Sequence, residues 1–398
     1  MSDTRESVTF VVPDKMGGMM NIVANLLAYR QPDAFSYHCI FTHNHLATDT
    51  RFAQPVAADT QQVVEYRLPV ENLHTVIERL RRALPPQGGV LVTNDLLELA
   101  MASAVDLDRT VMMILHGDHD YYYDLAARHA DVIDVFICYG RAMFDTLRRR
   151  LPDRTDSIVH LPYGIPLPSR TRLRTEGPLR LLFAGRLEHG QKGVFDLPQI
   201  DAALRDANVP VTWTLVGAGP DEALLRERWG VQPHVQWLGA QTTARVLEIA
   251  AEHDVFVLPT RAEGFPVALL EAMSVGLVPV VSDLRSGIRE LVSDGIHGML
   301  RPTGDITGFA EAIRVLHHDR ARVDTMSDAA RARVINEYDI TARVRDYQDL
   351  FARHRELRRP RPATAKLPYG SRLDQPWIPN VAVKAVRSVV RRAAGKPV

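Results

Sequence analysis

The sequence has few cysteines, no excess of charge and no long apolar run, and each absence excludes a class of protein. Two cysteines in 398 residues, Cys39 and Cys138, are too few for a disulfide framework or a cysteine-rich metal cluster. Both lie in apolar runs, which predicts buried free thiols. The 48 basic and 48 acidic residues cancel, so global charge gives no sign of a nucleic-acid partner.

The chain also lacks the sequence signs of export or membrane insertion. The amino-terminal MSDTRES is polar and has no apolar signal core. No run approaches the ~18 apolar residues of a membrane span. With 46% apolar and 24% charged residues, the composition is that of an ordinary globular enzyme. We expect a cytoplasmic protein of about two domains.

From Val8 onward, short β-branched runs alternate with helical segments, which predicts parallel sheets covered on both faces. The rhythm stops at LPYGIPLP (161–168), because three prolines and a glycine in eight residues propagate neither helix nor central strand. It restarts afterwards, so the predicted fold class is α/β, with two Rossmann-like domains whose parallel sheets face each other across a cleft. The predicted segments are 1–165 (first domain), 166–340 (second domain), 341–358 (a helix crossing back to the first domain) and 359–398 (a basic tail).

The tail combines proline with basic charge. Pro360–Pro379 is rich in proline and predicts irregular structure. The segment 381–394 has a helical period that places Val383, Val386 and Val390 on one side of a helix. From Arg359 to Val398, nine Lys or Arg residues stand against one acid, Asp374. Two interpretations stay open: a helix on anionic lipid, and a solvated or domain-docking tail.

GRLEHGQKG (185–193) directly follows the apolar strand LRLLFA. Arg186 and Lys192 flank a loop in which three glycines allow close approach. Arg binds two phosphate oxygens in a fork and Lys adds a mobile point charge. Anions bind at this edge of α/β sheets, so the loop predicts a phosphate site, with a solvated surface loop as the alternative.

LVGAGPDEALL (215–225) matches only part of the dinucleotide fingerprint. Gly217 and Gly219 fit G-x-G, but Glu222 occupies the third glycine position. A nicotinamide site, and with it an NAD oxidoreductase, is therefore disfavoured. We expect a tight strand-to-helix turn with Pro220 as the first helical residue.

RAEGFPVALLEAMSVG (261–276) contains two acids separated by seven residues, Glu263 and Glu271. Pro266 can open a helix whose free amides then face a ligand. Glu271 lies ~7.5 Å further along the helix axis, in an otherwise small and apolar segment where an acid needs a partner. The two carboxylates can hold two parts of one ligand. The amides expected at the helix mouth are those of Gly264, Phe265 and Val267.

EGFPVALLEAM preceded by GRLEHGQKG resembles the retaining GT-B glycosyltransferases of family 4, also called group 1. The resemblance is specific mainly in 181–300 and implies that the second domain binds a nucleotide-diphosphate sugar. It implies that Arg186 and Lys192 neutralise the pyrophosphate, and that Glu271 binds the ribose. Glu263 and residues 264–267 would hold the donor sugar.

The same resemblance gives roles to the first, acceptor-side domain. Gly17 and Gly18 would let a loop approach the donor phosphates across the cleft; a plain tight turn is the alternative. His116, after the strand TVMMIL, is placed where related enzymes carry a histidine near the reacting sugar. Its alternative is a structural histidine.

Two further features follow His116. Asp118 and Asp120 form D-x-D, a metal motif of a different glycosyltransferase fold, but in this α/β setting an N-cap is expected instead. Tyr121–Tyr123 are candidates for the acceptor side.

These observations together predict a retaining, metal-independent hexosyltransferase. It would move a sugar from a UDP- or GDP-sugar to a glycan, glycolipid or small-molecule hydroxyl without a cofactor. His116, Glu263, Arg186 and Lys192 are the predicted catalytic residues. A sugar-nucleotide epimerase, a phosphorylase and a non-catalytic sugar or lipid-surface binder remain alternatives. The base and sugar of the donor are left open.

Overall fold

The computed structural model describes residues 4–48, 51–52, 54–174, 176–361 and 370–396. Its strands, numbered in chain order, are β1 Glu6–Pro13, β2 Phe35–Asn44, β3 Thr60–Tyr66, β4 Gly89–Thr93, β5 Arg109–Leu115, β6 Val135–Cys138, β7 Ile158–His160, β8 Leu179–Ala184, β9 Val211–Val216, β10 Val235–Gly239, β11 Val255–Leu258, β12 Val278–Ser282 and β13 Met299–Arg301.

The helices alternate with these strands. They are α1 Gly18–Ala28, α2 Leu73–Ala83, α3 Leu96–Ala104, α4 Asp120–Arg128, α5 Arg141–Arg150, α6 His189–Lys192, α7 Leu197–Asp206, α8 Glu222–Trp229, α9 Thr243–Ala250, α10 Val267–Val275, α11 Gly287–Leu291, α12 Ile306–His318, α13 Arg320–Glu337, α14 Ile340–Ala352, α15 His354–Leu357 and α16 Asn380–Ala393. Within the described ranges, no helix combines the length and apolar character needed to span a membrane.

The chain divides into two compact units. Unit 1 comprises 1–139, 144–161 and 341–398, and unit 2 comprises 140–143 and 162–340. The predicted segments placed their boundaries after residues 165 and 340. Each unit has its own parallel sheet.

Unit 1 contains a seven-stranded sheet in the order β3-β2-β1-β4-β5-β6-β7, with every neighbouring pair parallel. Its central strands are buried on both faces; all seven residues of β5 are buried, as expected when helices cover the whole sheet. Cys39 and Cys138 are buried free thiols, which confirms the prediction for both. α14 joins this core, where Phe351 packs edge-on against Phe10 with ring centroids 6.1 Å apart.

Unit 2 contains a six-stranded parallel sheet in the order β10-β9-β8-β11-β12-β13. In both sheets the order reverses beside the first strand, between β1 and β4 and between β8 and β11. Crevices for ligands form outside the carboxyl ends of strands at such points. The predicted α/β class with two Rossmann-like units is confirmed.

The C-terminal helix α16 is docked within unit 1. Val383 is fully buried, and the Asn72 side-chain amide donates to the carbonyl oxygens of Gln375 and Ile378, both at 2.9 Å. The predicted irregular segment 360–379 lies partly outside the described residues; from residue 370 onward it consists of turns. The docking interpretation of the tail is thereby confirmed for the described residues.

Candidate functional site

Three loops meet at the carboxyl ends of β8, β9 and β11 in unit 2. Gly217 and Gly219 let the loop after β9 lie directly on the loop after β8, since a Cβ at Gly217 would overlap the Gly185 carbonyl oxygen and one at Gly219 the Leu187 carbonyl. The Leu187 amide donates to Ala218 O at 3.1 Å. The two glycines therefore serve loop packing, and the interpretation as a tight turn is confirmed.

One detail of that turn was wrong. Helix α8 begins at Glu222 with Asp221 as N-cap, so Pro220 precedes the helix instead of opening it. The reason is a tertiary contact: Asp221 Oδ2 accepts the His189 amide at 2.7 Å, which ties the residue before α8 to the start of α6.

Lys192 ends α6 and pairs with the first of the two predicted acids. Lys192 Nζ lies 2.5 Å from Glu263 Oε1, and the two side chains are only 16% and 6% exposed. Thr260 Oγ1 lies 3.0 Å from the same oxygen. Behind the pair, Gly193 adopts the left-handed conformation (φ 66°), and a Cβ there would overlap Pro259 O. The chain thus holds a cation and a carboxylate together at the end of β11.

Glu271 and Arg186 line one cavity of about 240 Å³ together with Gly185, Gly217 and Ala268. Glu271 is half-buried, and its carboxylate makes no hydrogen bond or ion pair with any described residue. Desolvation raises its pKa to about 8. A carboxyl without a partner in a largely apolar cavity is costly for the unliganded fold, which points to a ligand that offers hydroxyl donors.

Arg186 and Lys192 both lie next to Gly185. Arg186 is 64% exposed and pairs with Glu188, Nε to Oε2, at 3.2 Å. A Cβ at Gly185 would lie 3.9 Å from Lys192 Cε, which places the Lys192 side chain against the glycine that lines the cavity. The structure therefore brings together the predicted residues Arg186, Lys192, Glu263 and Glu271.

The amino-terminal end of α10 lies between the two acids. The helix begins at Val267, with Pro266 as its N-cap, and Glu271 is its fifth residue. The carbonyl of Gly264 accepts the Gly287 amide at 2.8 Å, and the Phe265 ring packs against Tyr338 at 5.6 Å. These contacts fix the turn whose amides, with the helix dipole, favour an anionic or polar ligand.

In unit 1, His116 is held by two protein partners. Its Nε2 lies 2.7 Å from Asn94 Oδ1 and its Nδ1 lies 3.1 Å from Tyr139 Oη. Burial, with a smaller effect from the Lys15 charge, lowers the pKa of His116 to about 3. The imidazole is therefore neutral at physiological pH. Its predicted role near the reacting sugar stays a prediction.

The other predicted residues of unit 1 have simpler surroundings. Gly17 is the N-cap of α1 and Gly18 its first residue; a Cβ at Gly17 would meet no atom within 4 Å. Helix α4 begins at Asp120 with His119 as N-cap, so the N-cap role expected for an aspartate was wrong. Asp118 instead accepts the hydroxyl of Tyr123, and Asp120 pairs with Arg150. Within the described ranges, no three His, Cys, Asp or Glu side chains are grouped to hold a metal.

Two polar residues near the site were missed by sequence reasoning. Thr260 contacts Glu263 and also donates to the Gln191 carbonyl at 2.8 Å, and Asp221 connects two loops. Nothing in either local sequence indicates the contact with residues 189–191. Glu98 in unit 1 was also missed, although its setting LLELAM resembles the ALLEAM of Glu271. A single acid within an apolar helical segment was the sequence signal that could have identified Glu98 as a candidate ligand-binding residue.

Part of unit 2 is similar to a known protein family. Residues 178–319 match the family model described as glycosyl transferases group 1. The amylovoran biosynthesis glycosyltransferase AmsK of Erwinia amylovora is 32% identical over 185 residues, which cover 44% of this chain and 45% of AmsK. The chain spans about half the length of the curated relatives it matches.

Two solved structures extend the comparison over most of the chain. HepE of Anabaena, in complex with UDP and glucose, has a TM-score of 0.71 at 16% identity, covering 87% of this chain and 99% of HepE. Sucrose-phosphate synthase of Thermosynechococcus elongatus also has a TM-score of 0.71 at 16% identity, covering 89% of this chain and 100% of that one. These likenesses concern the fold, and they confirm the GT-B class. The comparisons thus show a GT-B fold for the chain and a likeness to glycosyl transferases group 1 over residues 178–319.

Proposed function

We propose that the protein is a retaining glycosyltransferase of family 4. It transfers a sugar from a UDP- or GDP-sugar to an acceptor hydroxyl during the biosynthesis of a polysaccharide, glycolipid or other glycan. The observation that carries the proposal is the Glu271 carboxyl, which has no partner in the described part of the chain and shares one cavity with Arg186, beside the Lys192–Glu263 pair. The match of residues 178–319 to glycosyl transferases group 1 supports it.

Each group has a chemical task in this proposal. The ribose hydroxyls of the donor hydrogen-bond to Glu271, whose unsatisfied carboxyl is thereby compensated. Arg186 and Lys192 stabilise the negative charge that grows on the departing diphosphate, with the α10 amides adding fixed dipoles. These groups supply the charge stabilisation without a metal or cofactor.

Glu263 has two successive roles, one in the free enzyme and one in the complex. In the free enzyme it balances the buried charge of Lys192. In the complex the diphosphate takes over that charge, and Glu263 with the amides of Gly264, Phe265 and Val267 hydrogen-bonds the donor sugar. The bond from the anomeric carbon to the diphosphate oxygen breaks while the acceptor oxygen bonds to the same face. The acceptor proton passes to the departing phosphate oxygen, so no side-chain base is required.

His116 acts in this scheme as a neutral hydrogen-bonding group. A pKa of about 3 leaves no positive charge on the ring at the pH of the cytoplasm, where we place the protein. Its task is to orient a sugar hydroxyl rather than to transfer a proton, and that hydroxyl must displace Asn94 or Tyr139, because each ring nitrogen has a protein partner in the free protein. Gly17 and Gly18 keep their proposed approach to the donor phosphates.

The test is a thermal-shift screen with UDP, GDP, ADP and their sugars, followed by product analysis by NMR. We expect one base to stabilise the protein, the matching sugar nucleotide to be consumed only with an acceptor, and the new linkage to keep the donor's anomeric configuration. Conversion of the donor without acceptor would indicate an epimerase instead. Consumption that requires inorganic phosphate would indicate a phosphorylase. Failure of every nucleotide to bind would refute the proposal.

We further propose that α16 contacts an anionic membrane surface. The predicted apolar side of this helix is divided: Val383 is buried, whereas Val386, Val389 and Val390 are 49%, 67% and 61% exposed. Basic residues are divided too, since Lys384 pairs with Glu71. The outward face therefore offers valines, and the last turn carries two arginines, an arrangement suited to the lipid interface.

Flotation with phosphatidylglycerol vesicles tests this contact. Val389→Asp is expected to reduce vesicle binding several-fold, because it places a charge on the outward apolar face. The matched control is Val231→Asp, a fully exposed valine in unit 2, which should leave binding unchanged. Equal flotation of both variants and the wild type would remove the membrane contact from the proposal.

A further inference from the structure

A second cavity, of about 470 Å³, lies in unit 1 at the carboxyl ends of β1, β2 and β3 and the start of α3. It is adjacent to the point where the strand order reverses between β1 and β4. The volume falls in the range of small-molecule sites, ~300–1,000 Å³. None of the residues proposed to bind the donor lines this cavity.

The C-terminal segment forms one wall of this cavity. Gly370, Asp374 and Arg387 line it, although they follow the rest of the lining by more than 240 residues. Asp374 Oδ1 accepts the Leu73 amide at 2.8 Å. Arg387 donates to Asp374 Oδ2 and to the Glu71 carbonyl, both at 2.6 Å. The wall is therefore fixed to α2 by side-chain bonds.

Glu98 gives the cavity an unsatisfied polar group. The residue is fully buried and lines the cavity. Its Oε1 accepts the amides of Asn94 and Asp95 at 2.7 and 2.6 Å. Its Oε2 has no hydrogen-bond partner in the described part of the chain. A buried polar atom without a partner destabilises the free protein, and a ligand hydroxyl that bonds to it removes this penalty.

The rest of the lining is largely apolar. Leu68, Pro69, Leu73 and Leu96 contribute to it. Tyr121, also on the wall, donates its hydroxyl to Asp95, so this end of the cavity is polar. Burial, and then the charge of Asp95, raise the pKa of Glu98 to about 8, so at neutral pH the carboxyl carries a proton. A neutral ligand that is hydroxylated at one end and apolar at the other matches both ends.

We propose that this cavity binds the acceptor, and that the acceptor is amphiphilic, with a sugar or polyol hydroxyl at Glu98 Oε2 and an apolar chain or ring against the leucines. The C-terminal segment 370–387 limits the size of that apolar part. The identification of this ligand as the acceptor rests on the proposed glycosyl transfer. Binding of the ligand in the cavity does not depend on any nucleotide.

Octyl β-glucoside below its micellar concentration is the probe. Saturation-transfer NMR on the full chain, without nucleotide, should show contact with both alkyl and ring protons, and methyl β-glucoside should bind at least tenfold more weakly. Ala47→Trp fills the exposed rim of the cavity and should weaken binding at least fivefold. The control Thr48→Trp adds the same bulk at an exposed neighbour that does not line the cavity, and it should bind like the wild type.

Glu98 is tested separately with carboxyl-labelled glutamate. One carboxyl resonance, identified by its absence in Glu98→Gln, should move when octyl β-glucoside is added to the wild type and should stay in place in Ala47→Trp. A merely structural Glu98 would not respond to the ligand. Binding without movement of this resonance would refute the role of Glu98.

The outcomes separate this inference from the proposed function. Equal binding of octyl β-glucoside by wild type and Ala47→Trp, with UDP binding intact, would overturn the cavity assignment alone. Binding in the cavity by a chain that binds no nucleotide would leave the cavity assignment standing and overturn the glycosyl transfer. In a transfer assay, Ala47→Trp should raise the KM for the acceptor at least fivefold with little change in the KM for the donor.

Discussion

Replacement of Glu271 by Gln should weaken nucleotide binding and stabilise the protein at the same time. The carboxyl has no partner among the described residues and a pKa of about 8 instead of 4.5. It therefore lowers the stability of the unliganded fold, and we expect its role to be in ligand binding. Gln has the same shape and no charge. A residue with a purely structural role would lose stability on substitution, and that difference makes the experiment decisive.

The binding loss can be estimated from the hydrogen bonds involved. A hydrogen bond to a charged group contributes ~1.5–3 kcal/mol, and ~1.4 kcal/mol is a tenfold change in affinity. We therefore expect the Kd for UDP, or for whichever nucleotide the screen identifies, to rise ~10–100-fold. Because the ribose diol donates to the ionised carboxylate, wild-type affinity should increase from pH 6.5 to 9, and the variant should lose this dependence.

The stability change has a defined sign. A carboxyl whose pKa is raised in the folded state loses stability as pH rises from its ordinary 4.5 through about 8. The difference corresponds to an upper limit of ~5 kcal/mol, which partial solvent access reduces to ~1–2 kcal/mol. At ~2–4 °C per kcal/mol for a unit of this size, Glu271→Gln should raise the Tm by several degrees at pH 9 and by little at pH 5.

Isothermal titration calorimetry and differential scanning calorimetry measure the two effects. The control is Glu248→Gln, an acid of unit 2 that is 52% exposed and paired with Arg245; it should change neither quantity. Unchanged nucleotide affinity in Glu271→Gln would refute the ribose role. A lowered Tm at pH 9 would refute the view that the free site is strained by an unpartnered carboxyl.

Three further predictions concern other parts of the molecule. Lys192→Gln, which replaces the cation by a neutral amide, should lower kcat ~10²–10³-fold with a smaller effect on the Kd of the nucleotide; unchanged turnover would count against its role on the diphosphate. Gly217→Ala should destabilise the protein by ~1–3 kcal/mol, since its Cβ would overlap a backbone carbonyl; Gly190→Ala, with no atom within 4 Å of the added Cβ, is the thermal-unfolding control. Burial alone would raise the pKa of Glu71, but bonds from Arg79, a backbone amide and a lysine hold it at about 2. The resulting stabilisation of ~3 kcal/mol is complete above pH 4.5 and is lost as pH falls toward 2. Because Lys384 of α16 pairs with Glu71, hydrogen exchange in α16 should accelerate at low pH. Persistent protection of α16 would contradict a role of Glu71 in docking this helix.

The division of α16 into an outward and an inward face could be seen only in the structure. The outward valines of α16 and its inward-facing Lys384 and Arg387 belong to the same helical repeat. Periodicity identified an amphipathic helix, but it assigned Val383, Val386 and Val390 to one side that the fold divides. The periodicity of a helix shows that it is amphipathic, but it does not show which of its side chains a docking surface will cover.

The local pattern of residues by itself determined the parallel α/β architecture and the order of the loops in unit 2, and it picked out Arg186, Lys192, Glu263 and Glu271. These features depend on contacts between neighbours in sequence: strand and helix periods, glycines at strand ends, and a proline at a helix start. Tertiary structure alone decided that Lys192 pairs with Glu263, 71 residues away, and that both nitrogens of His116 are engaged. It alone brought Asp374 to Leu73 across 301 residues and left Glu98 Oε2 without a partner among the described residues. Burial and partnership depend on which distant segments share a surface, and a short window of sequence contains no record of that.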